Sequence, residues 1–489
     1  MDPNSGPMAL SSQQPSPDGQ PASTSQDPEK AGAAADSARD DGSSQAVPSH
    51  AVEKWNEPRI NIYRLLVTNY SFVIMGMSDA CIGPLIPYIE EYYHISYTLV
   101  SLLFLTSFVG YLVAALSNNL VHHHLGQRGV ALIAPSARIL GYILMCMHLP
   151  FPALPVFMML PGFGSGLEDS AWNAWIGNMA SANELLGFLH GSYGLGATVG
   201  PLVSTAMVVR GGLPWYAYFY LMIGLASLEL VLTTTVFWGA TAARYRAKAT
   251  RGGSAGTASD GSGKKRTTTR AVMREPITWL LSVFLLGYVG AENALGGWIV
   301  TFMLDVRHAA PFDAGLTVTF FWLGLAVGRV TMGFLTGQIG EKRAIATYLI
   351  LAIALQTLYW LIPSFAASAV FVSFEGFFLG PLFPGAIVAA TKLLPVDYHV
   401  SAIGFAAAFG GGGAAVVPFV VGAVASSRGV WVLQPIVLAV LAFLLLVWLA
   451  LPGGLRRGGL EHARETDEKI GQQVVMAYRW VGKMFAKDS

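Results

Sequence analysis

The stretch Gly187-Phe-Leu-His-Gly-Ser-Tyr-Gly-Leu-Gly-Ala-Thr-Val-Gly-Pro201 recurs in the second half of the chain as Gly404-Phe-Ala-Ala-Ala-Phe-Gly-Gly-Gly-Gly-Ala-Ala-Val-Val-Pro418. Glycine, phenylalanine, alanine and proline return in the same register in both copies. Small residues are common in membrane helices because they let two backbones approach, which explains single glycines but not a shared register. The stretch therefore indicates a chain built from two repeated halves.

The composition is that of a membrane protein. Of the 489 residues, 53% are hydrophobic and only 12% are charged, whereas a soluble protein carries roughly a quarter charged residues. Outside residues 1–60 and 241–275 the chain is a nearly continuous series of long apolar runs. Runs of about 18 or more such residues cross a bilayer as helices, so we expect an all-α membrane protein. The net charge of +1 gives no reason to expect a nucleic acid partner.

The apolar runs predict twelve transmembrane helices in two sets of six. The motif Gly162-Phe-x-x-Gly in the fourth run returns as Gly376-Phe-x-x-Gly in the tenth, so we expect two pseudo-symmetric six-helix bundles. The predicted spans are 63–88, 98–121, 129–148, 153–179, 184–209 and 214–239 in the first half, and 276–304, 313–336, 343–362, 365–393, 400–425 and 430–451 in the second.

Polar segments divide the chain into five predicted parts. These are a disordered cytosolic tail over 1–60, an N-terminal bundle over 61–240, a basic linker over 241–275, a C-terminal bundle over 276–453, and a cytosolic tail with an amphipathic helix over 454–489. Lys and Arg gather in the linker and beside the termini, so the positive-inside rule places both termini in the cytoplasm. We expect a monomeric multi-pass protein of the plasma membrane, with an internal membrane as the open alternative.

Acidic residues fall inside the predicted spans, where an ionised group costs ~3 kcal/mol or more. Asp79 and Glu292 occupy matching places in the first span of each half, each about one helical turn before a glycine. Desolvation favours the neutral form of a buried carboxyl, which suits a group that takes up and releases a proton. These two acids are therefore the first candidates for proton coupling. The other acids within the spans are Glu168, Asp169, Glu229 and Glu375.

The fourth predicted span carries a polar face beside an aromatic one. Asp169 and Asn173 share a stripe with three glycines at helical spacing, and Glu168 shares the adjacent stripe with two tryptophans. An acid and an amide can bond to sugar hydroxyls while an indole stacks on the apolar face of the sugar ring. The candidate substrate-binding residues are Asn173, Trp172, Trp175, Asn293, Trp298, His190 and Tyr193.

Arg138 in the third predicted span needs an acidic partner, since an isolated arginine there would be very costly. Glu168 or Asp169 is the expected partner, so one of the two has a structural role and the other is a candidate for proton coupling. Glu229 fits either helix packing or a gate. His190 fits either a proton relay or a hydrogen-bonded packing histidine.

The segment after the eighth predicted span resembles the loop signature of the major facilitator superfamily, a glycine-punctuated turn with basic residues. It is carried here by Gly328, Arg329, Gly333, Gly340, Lys342 and Arg343, and in the first half by Gly126 and Arg128. His123 and His124 replace the acid and the first arginine that are typical of the signature in the first half. Three adjacent histidines cannot all turn to one ion on a helix, so we expect a solvated loop there and no metal site.

Two further stretches resemble the fucose/glucose/galactose–proton symporter branch of that superfamily, including its fungal members. They are His190-Gly-x-Tyr-Gly-x-Gly196 and Tyr288-Val-Gly-Ala-Glu-x-x-x-Gly-Gly-Trp298. The resemblance covers about residues 62–452 and implies two six-helix bundles that rock about a central site. It also implies that an acid in the first or fourth helix takes up the proton, which points to Asp79 and to Glu168 or Asp169.

These observations predict a secondary transporter that moves a small polar solute, a sugar, by proton-coupled alternating access. Sodium coupling stays open. One alternative is a proton-coupled exporter of metabolites or drugs on the same fold, and another is a non-transporting membrane sensor or scaffold. The sequence contains no phosphate-binding loop, metalloprotease helix or serine nucleophile elbow, so no enzymatic activity and no cofactor are expected.

Overall fold

The computed structural model describes residues 53–247, 272–395, 398–455 and 459–460, and these are almost entirely helical. Most of the predicted N-terminal tail and basic linker, and the predicted C-terminal amphipathic helix, lie outside the described residues. Within the described ranges no strand forms, and one isolated bridge joins Lys54 to Glu57. The predicted all-α architecture is confirmed.

The first half consists of six helices. They are helix 1 (Ile60–Ala80 and Ile82–Tyr93), helix 2 (Tyr97–Val100 and Leu102–Leu125), helix 3 (Gln127–Met145), helix 4 (Ala153–Gly177), helix 5 (Ala182–Thr205, continued by a π-helical turn, Ala206–Arg210) and helix 6 (Ala217–Phe237). The two segments of helix 1 are bent by 42°. The bend follows from Pro84, which lacks the N–H that would bond to the Ala80 carbonyl and whose ring would clash with it.

The second half repeats this arrangement. Its helices are helix 7 (Pro276–Asp305), helix 8 (Pro311–Ile339), helix 9 (Glu341–Leu361), helix 10 (Phe365–Leu379 and Leu382–Leu393), helix 11 (His399–Arg428) and helix 12 (a 3-10 turn, Val430–Val432, then Leu433–Ala450). Helices 7 and 8 each begin with a proline, whose missing N–H is not needed in the first turn. Among the described residues, ten helices are long and apolar enough to cross a membrane, and the bent helix 1 makes an eleventh. Helix 4, with 25 residues, also has the length of a span and carries the polar stripe.

Close helix crossings show that the two halves are structural repeats. A Cβ at Gly196 of helix 5 would collide with the carbonyl of Val73 in helix 1, and a Cβ at Gly413 of helix 11 would collide with the carbonyl of Leu286 in helix 7. The interval from Val73 to Leu286 is the same as the interval from Asp79 to Glu292. These two acids therefore occupy equivalent positions in helices 1 and 7.

A second pair of crossings follows the same rule. Gly162 of helix 4 faces the carbonyl of Ser107 in helix 2, and Gly376 of helix 10 faces the carbonyl of Phe321 in helix 8. The number of residues from Gly162 to Gly376 equals the number from Ser107 to Phe321. A side chain at these glycines would push two backbones apart, so the repeated motif of small residues fixes the same helix pairs in each half.

The halves touch each other at one end and separate at the other. Along the crossing of helices 5 and 8, Thr205 contacts Gly315, and Gly194 contacts Ala326 about three turns further along each helix. About two turns beyond, at Gly187, an added Cβ would meet no described heavy atom within 4 Å. The helices therefore diverge toward the Gly187 end, which leaves an opening between the halves there.

The opposite end is closed by packing and by a hydrogen bond. Gly83 of helix 1 lies against the backbone of Gly296 in helix 7, and Gly422 of helix 11 lies against Ser101. Tyr97 donates from its hydroxyl to Asp305 Oδ2 at 2.6 Å. These contacts join elements of different halves, so this end is the sealed side of the conformation.

Candidate functional site

Asp79 is exposed although both of its neighbours in the chain are buried. It sits one residue before the end of the first segment of helix 1, where the helix breaks. Its Oδ2 accepts a hydrogen bond from the hydroxyl of Tyr193 in helix 5 at 3.3 Å. Gly76 lets the two helices meet, because its Cα lies against the Tyr193 carbonyl. The carboxylate therefore reaches the space between the two halves.

Glu292 lies at the equivalent position in helix 7 but has a different partner. Its Oε2 lies 3.5 Å from Nη2 of Arg329 in helix 8, and the same Nη2 donates to the Tyr288 hydroxyl at 3.1 Å. Arg329 Nε also donates to the Gly380 carbonyl in helix 10 at 3.3 Å. The Glu292 side chain is 8% exposed and the Arg329 side chain 22%. The repeat thus places one acid against a phenol and the other against a guanidinium.

Helix 4 contributes a third acid to this region. Asp169 accepts a short hydrogen bond from the Tyr111 hydroxyl of helix 2, and Asn173 Nδ2 donates to Asp169 Oδ1 at 2.8 Å. Asp79 lies close enough to Asp169 for the two charges to interact. The predicted stripe of Asp169 and Asn173 therefore faces the same region as Asp79.

Tyr193 and His190 connect these groups electrostatically. Tyr193 lies close enough to Asp79, Glu292 and Arg329 to interact with them electrostatically. His190 lies close enough to Asp169 and Arg329 to do the same. The His190 ring is also edge-on to Phe72, with 5.8 Å between the ring centres. We define the central cluster as Asp79, Asp169, His190, Tyr193, Glu292 and Arg329. It draws on helices 1, 4, 5, 7 and 8, and so on both halves.

Glu168 has a different environment from its neighbour Asp169. The fully buried Arg138 of helix 3 donates from Nη2 to Glu168 Oε2 at 2.7 Å and from Nη1 to Glu229 Oε2 of helix 6, also at 2.7 Å. All three side chains are fully buried. The expected partner of Arg138 is therefore Glu168, joined by Glu229, while Asp169 faces the central cluster. Two carboxylates around one guanidinium tie helices 3, 4 and 6 together.

The predicted tryptophan contacts lie in packed surroundings in this conformation. Trp172 is fully buried and stacks on Phe237 with 4.5 Å between ring centres, and Trp175 meets the same ring edge-on. Trp298 is also fully buried, and its Nε1 donates to the Pro418 carbonyl at 2.9 Å. Asn293 donates to the Val289 carbonyl of its own helix at 2.9 Å. The structure does not bring these four side chains into the central cluster.

The structure corrects one expectation about the loop signature. Gly328, Arg329 and Gly333 are not in a loop, because helix 8 continues to Ile339 and helix 9 starts at Glu341. The turn is Gly340 alone, with φ of 95°, and its counterpart Gly126 has φ of 74°. Glycine adopts this left-handed backbone without a steric penalty. The sequence analysis assigned Arg329 to the loop signature and not to the site between the halves, although an arginine deep inside an apolar run was the available signal.

The basic residues after the turn hold helix ends together. Lys342 Nζ donates to the carbonyls of Leu451 and Gly453 beyond helix 12. Lys392 pairs with Glu341 at 2.6 Å. In the first half, the Arg128 backbone N–H donates to the Ala240 carbonyl, and its guanidinium lies 4.9 Å from the Trp238 ring centre. Among the described residues no group of three or more His, Cys, Asp or Glu could hold a metal ion.

Glu375 of helix 10 is apart from both clusters. It is fully buried, and neither carboxyl oxygen has a hydrogen-bond partner among the described residues. Burying a carboxyl group without a hydrogen-bond partner costs free energy.

Two helix bundles with an accessible polar cluster between them define a multi-pass membrane transporter. The family model of the Major Facilitator Superfamily matches residues 70–310 and 287–480. The chain therefore belongs to the major facilitator superfamily, as the resemblance implied.

Similar proteins span most of the chain. Bypass of stop codon protein 6 from Saccharomyces cerevisiae is 29% identical over 433 residues, which are 84% of this chain and 86% of that protein. The glucose/mannose transporter GlcP from Bacillus subtilis is 22% identical over 360 residues, 72% of this chain and 85% of that one. The crystal structure of a D-xylose-proton symporter superposes with a TM-score of 0.60 at 13% identity, covering 78% of this chain and 97% of that one. This last likeness concerns the fold.

Proposed function

We propose that the protein is a secondary transporter that carries a sugar-type polar solute together with a proton by alternating access. The observation that carries this proposal is the Asp79 carboxylate. It is exposed at the break of helix 1, between the halves, and among the described residues its side chain has one hydrogen bond, of 3.3 Å from the Tyr193 hydroxyl. The names of the glucose/mannose transporter and the D-xylose-proton symporter support the solute class and the proton.

The chemistry follows from the cost of burying charge. When the open end closes over the solute, water leaves the central cluster, and an ionised Asp79 loses its hydration. A proton on Asp79 removes this cost, so closure is favoured when proton and solute are both bound. Asp169, with its bonds to Tyr111 and Asn173, offers a hydrogen-bonded carboxylate for solute hydroxyls. Glu292 is the second proton candidate.

The proposed orientation places both termini in the cytoplasm, in agreement with the distribution of Lys and Arg. Helix 5 then runs outward from Gly187, and the opening between the halves faces the cytoplasm. The conformation is inward-open under this proposal. The domain boundaries at residues 61–240 and 276–453 are part of the same proposal.

Uptake into proteoliposomes across a panel of sugars, with and without an inward proton gradient, tests the function. We expect the gradient to stimulate uptake by the wild type and Asp79→Asn to abolish the stimulation. Asp313→Asn is the matched control, because Asp313 is an exposed acid at the start of helix 8. Equal stimulation in Asp79→Asn would refute Asp79 as the proton carrier, and proton-driven efflux only would identify an exporter.

A further inference from the structure

The central cluster contains one guanidinium, that of Arg329, with a nitrogen that is not used in any hydrogen bond to the described residues. Arg329 reaches Glu292 only at 3.5 Å, which is at the limit for a hydrogen bond, and its side chain is 22% exposed. Both its bonds to Glu292 and to Tyr288 come from Nη2. Within the described part of the chain, Nη1 makes no hydrogen bond and is not enclosed in the core. The Nη1 atom of the guanidinium therefore faces the accessible space.

We propose that Arg329 binds the carboxylate of an acidic, polyhydroxylated solute such as a sugar acid, and that Glu292, displaced from Arg329, takes up one further proton beside the one that Asp79 carries. The inference deepens the proposed transport function and rests on it. The solute is thereby assigned a negative charge, and Arg329 is the group that exchanges Glu292 for the solute carboxylate.

Arg138, in helix 3, shows what a purely structural arginine looks like in this protein. Arg138 is fully buried, and each Nη bonds to a carboxylate at 2.7 Å. Both Nη atoms of Arg138 are taken up by carboxylates, whereas Arg329 is held by one long ion pair, the Tyr288 hydroxyl and the Gly380 carbonyl. A planar guanidinium binds a carboxylate best through two parallel bonds. In Arg329, Nη1 is unused and the departure of Glu292 frees Nη2 beside it for this geometry, whereas both Nη atoms of Arg138 are already bonded to carboxylates.

The surrounding charges explain why the anion and the proton enter together. The acids facing this space are Asp79 of helix 1, Asp169 of helix 4 and Glu292 of helix 7, while His190 of helix 5 and Arg329 of helix 8 are the basic groups. An incoming anion is repelled by these three carboxylates when they are ionised. Once Glu292 is protonated, its attraction for Arg329 falls and the guanidinium turns to the solute.

The exchange balances in charge and in protons. The solute brings one negative charge, Glu292 accepts one proton from the medium, and no covalent bond forms or breaks except that O–H bond. The site loaded with a sugar acid therefore carries the same net charge as the site loaded with a neutral sugar, in which Asp79 alone has taken up a proton. This allows the closed, dehydrated conformation to form with its charge unchanged.

The test compares D-glucuronate with D-glucose, which differ only at C6. Binding to the purified full-length protein is measured by tryptophan fluorescence in detergent, and uptake is measured in proteoliposomes. We expect glucuronate to bind at least about tenfold more tightly than glucose to the wild type, because a charge-assisted pair is stronger than a neutral one. Arg329→Gln should remove this preference and Arg329→Lys should restore part of it.

A double variant distinguishes a loss of binding from a loss of folding. Arg329→Gln leaves Glu292 without its partner, so Arg329→Gln/Glu292→Gln is included, with thermal unfolding as a check. Arg428→Gln, at an exposed position at the end of helix 11, is the matched control and should keep the preference. Glu292→Gln alone should bind glucuronate at high pH as well as at low pH, because it mimics the protonated acid.

The outcomes separate this inference from the proposed function. Proton-driven glucose uptake without a preference for glucuronate would overturn the role of Arg329 and leave proton-coupled transport standing. An equal loss of glucose and glucuronate binding in folded Arg329→Gln would also overturn it. Uptake that ignores the proton gradient for both solutes would instead refute the proposed function.

Discussion

The hydroxyl of Tyr193 donates to Oδ2 of Asp79 over 3.3 Å and joins helix 5 to the break in helix 1. The bond exists because Gly76 and Gly196 bring the two backbones into contact. Asp79 thus has a partner that can hold either its charged form or its neutral form. A change at Tyr193 should alter transport while the helix packing stays intact.

Tyr193→Phe removes this donor and retains the ring. A hydrogen bond to a charged group contributes about 1.5–3 kcal/mol, so we expect proton-driven uptake to fall by roughly ten- to hundredfold. Initial rates in proteoliposomes measure the effect. Tyr220→Phe, on an exposed tyrosine of helix 6, is the control and should keep the wild-type rate. Unchanged uptake in Tyr193→Phe would mean that the bond has no part in coupling.

Removing the charge of Arg138 should destabilise the fold. Arg138→Leu leaves Glu168 and Glu229 buried without their cation, and breaking such a cluster costs about 3–5 kcal/mol. The thermal unfolding midpoint in detergent should drop markedly. The triple variant Arg138→Leu/Glu168→Gln/Glu229→Gln carries no buried charge at this place, so most of the loss should be recovered. A single variant as stable as the wild type would contradict the structural role of the cluster.

The repeated glycine crossings should respond alike in both halves. Gly196→Ala and Gly413→Ala each place a Cβ against a backbone carbonyl of the neighbouring helix, and overpacking of this kind costs about 1–3 kcal/mol. Both variants should therefore lower the unfolding midpoint by similar amounts. Gly404→Ala is the control, since its Cβ would meet no described heavy atom within 4 Å and alanine favours a helix. A destabilised Gly404→Ala alone would speak against this packing.

Disulfide trapping can measure separately how close helices 5 and 8 are at the closed end and at the open end. In a background with Cys81→Ala and Cys146→Ala, the pair Thr205→Cys/Gly315→Cys should cross-link readily, because these residues touch at the closed end. The pair Gly187→Cys/Gly333→Cys should cross-link slowly and become faster with solute and proton, when the open end closes. Both rates are read from gel mobility. Solute-independent cross-linking of both pairs would exclude alternating access between these helices.

The sequence determined the architecture because membrane helices are encoded locally. Long apolar runs must form helices when their backbone groups cannot bond to water, and most of the predicted spans follow from that alone. The register of Gly187 with Gly404 and of Asp79 with Glu292 also appeared in the sequence, since a repeat retains the glycines that its helix crossings require. The structure therefore agrees with the sequence on the helical fold and on the equivalent positions of Asp79 and Glu292.

The tertiary structure alone decided which neighbour each side chain meets. Helical periodicity placed Glu168 and Asp169 on adjacent stripes, but only the packing of helices 3, 4 and 6 turned Glu168 to Arg138 and Asp169 to the central cluster. It likewise buried Trp172 and Trp298 and brought Arg329 from a predicted loop to Glu292. The physical reason is that a helix repeat defines a face relative to its own axis, while the rotation and partner of that face depend on the other helices.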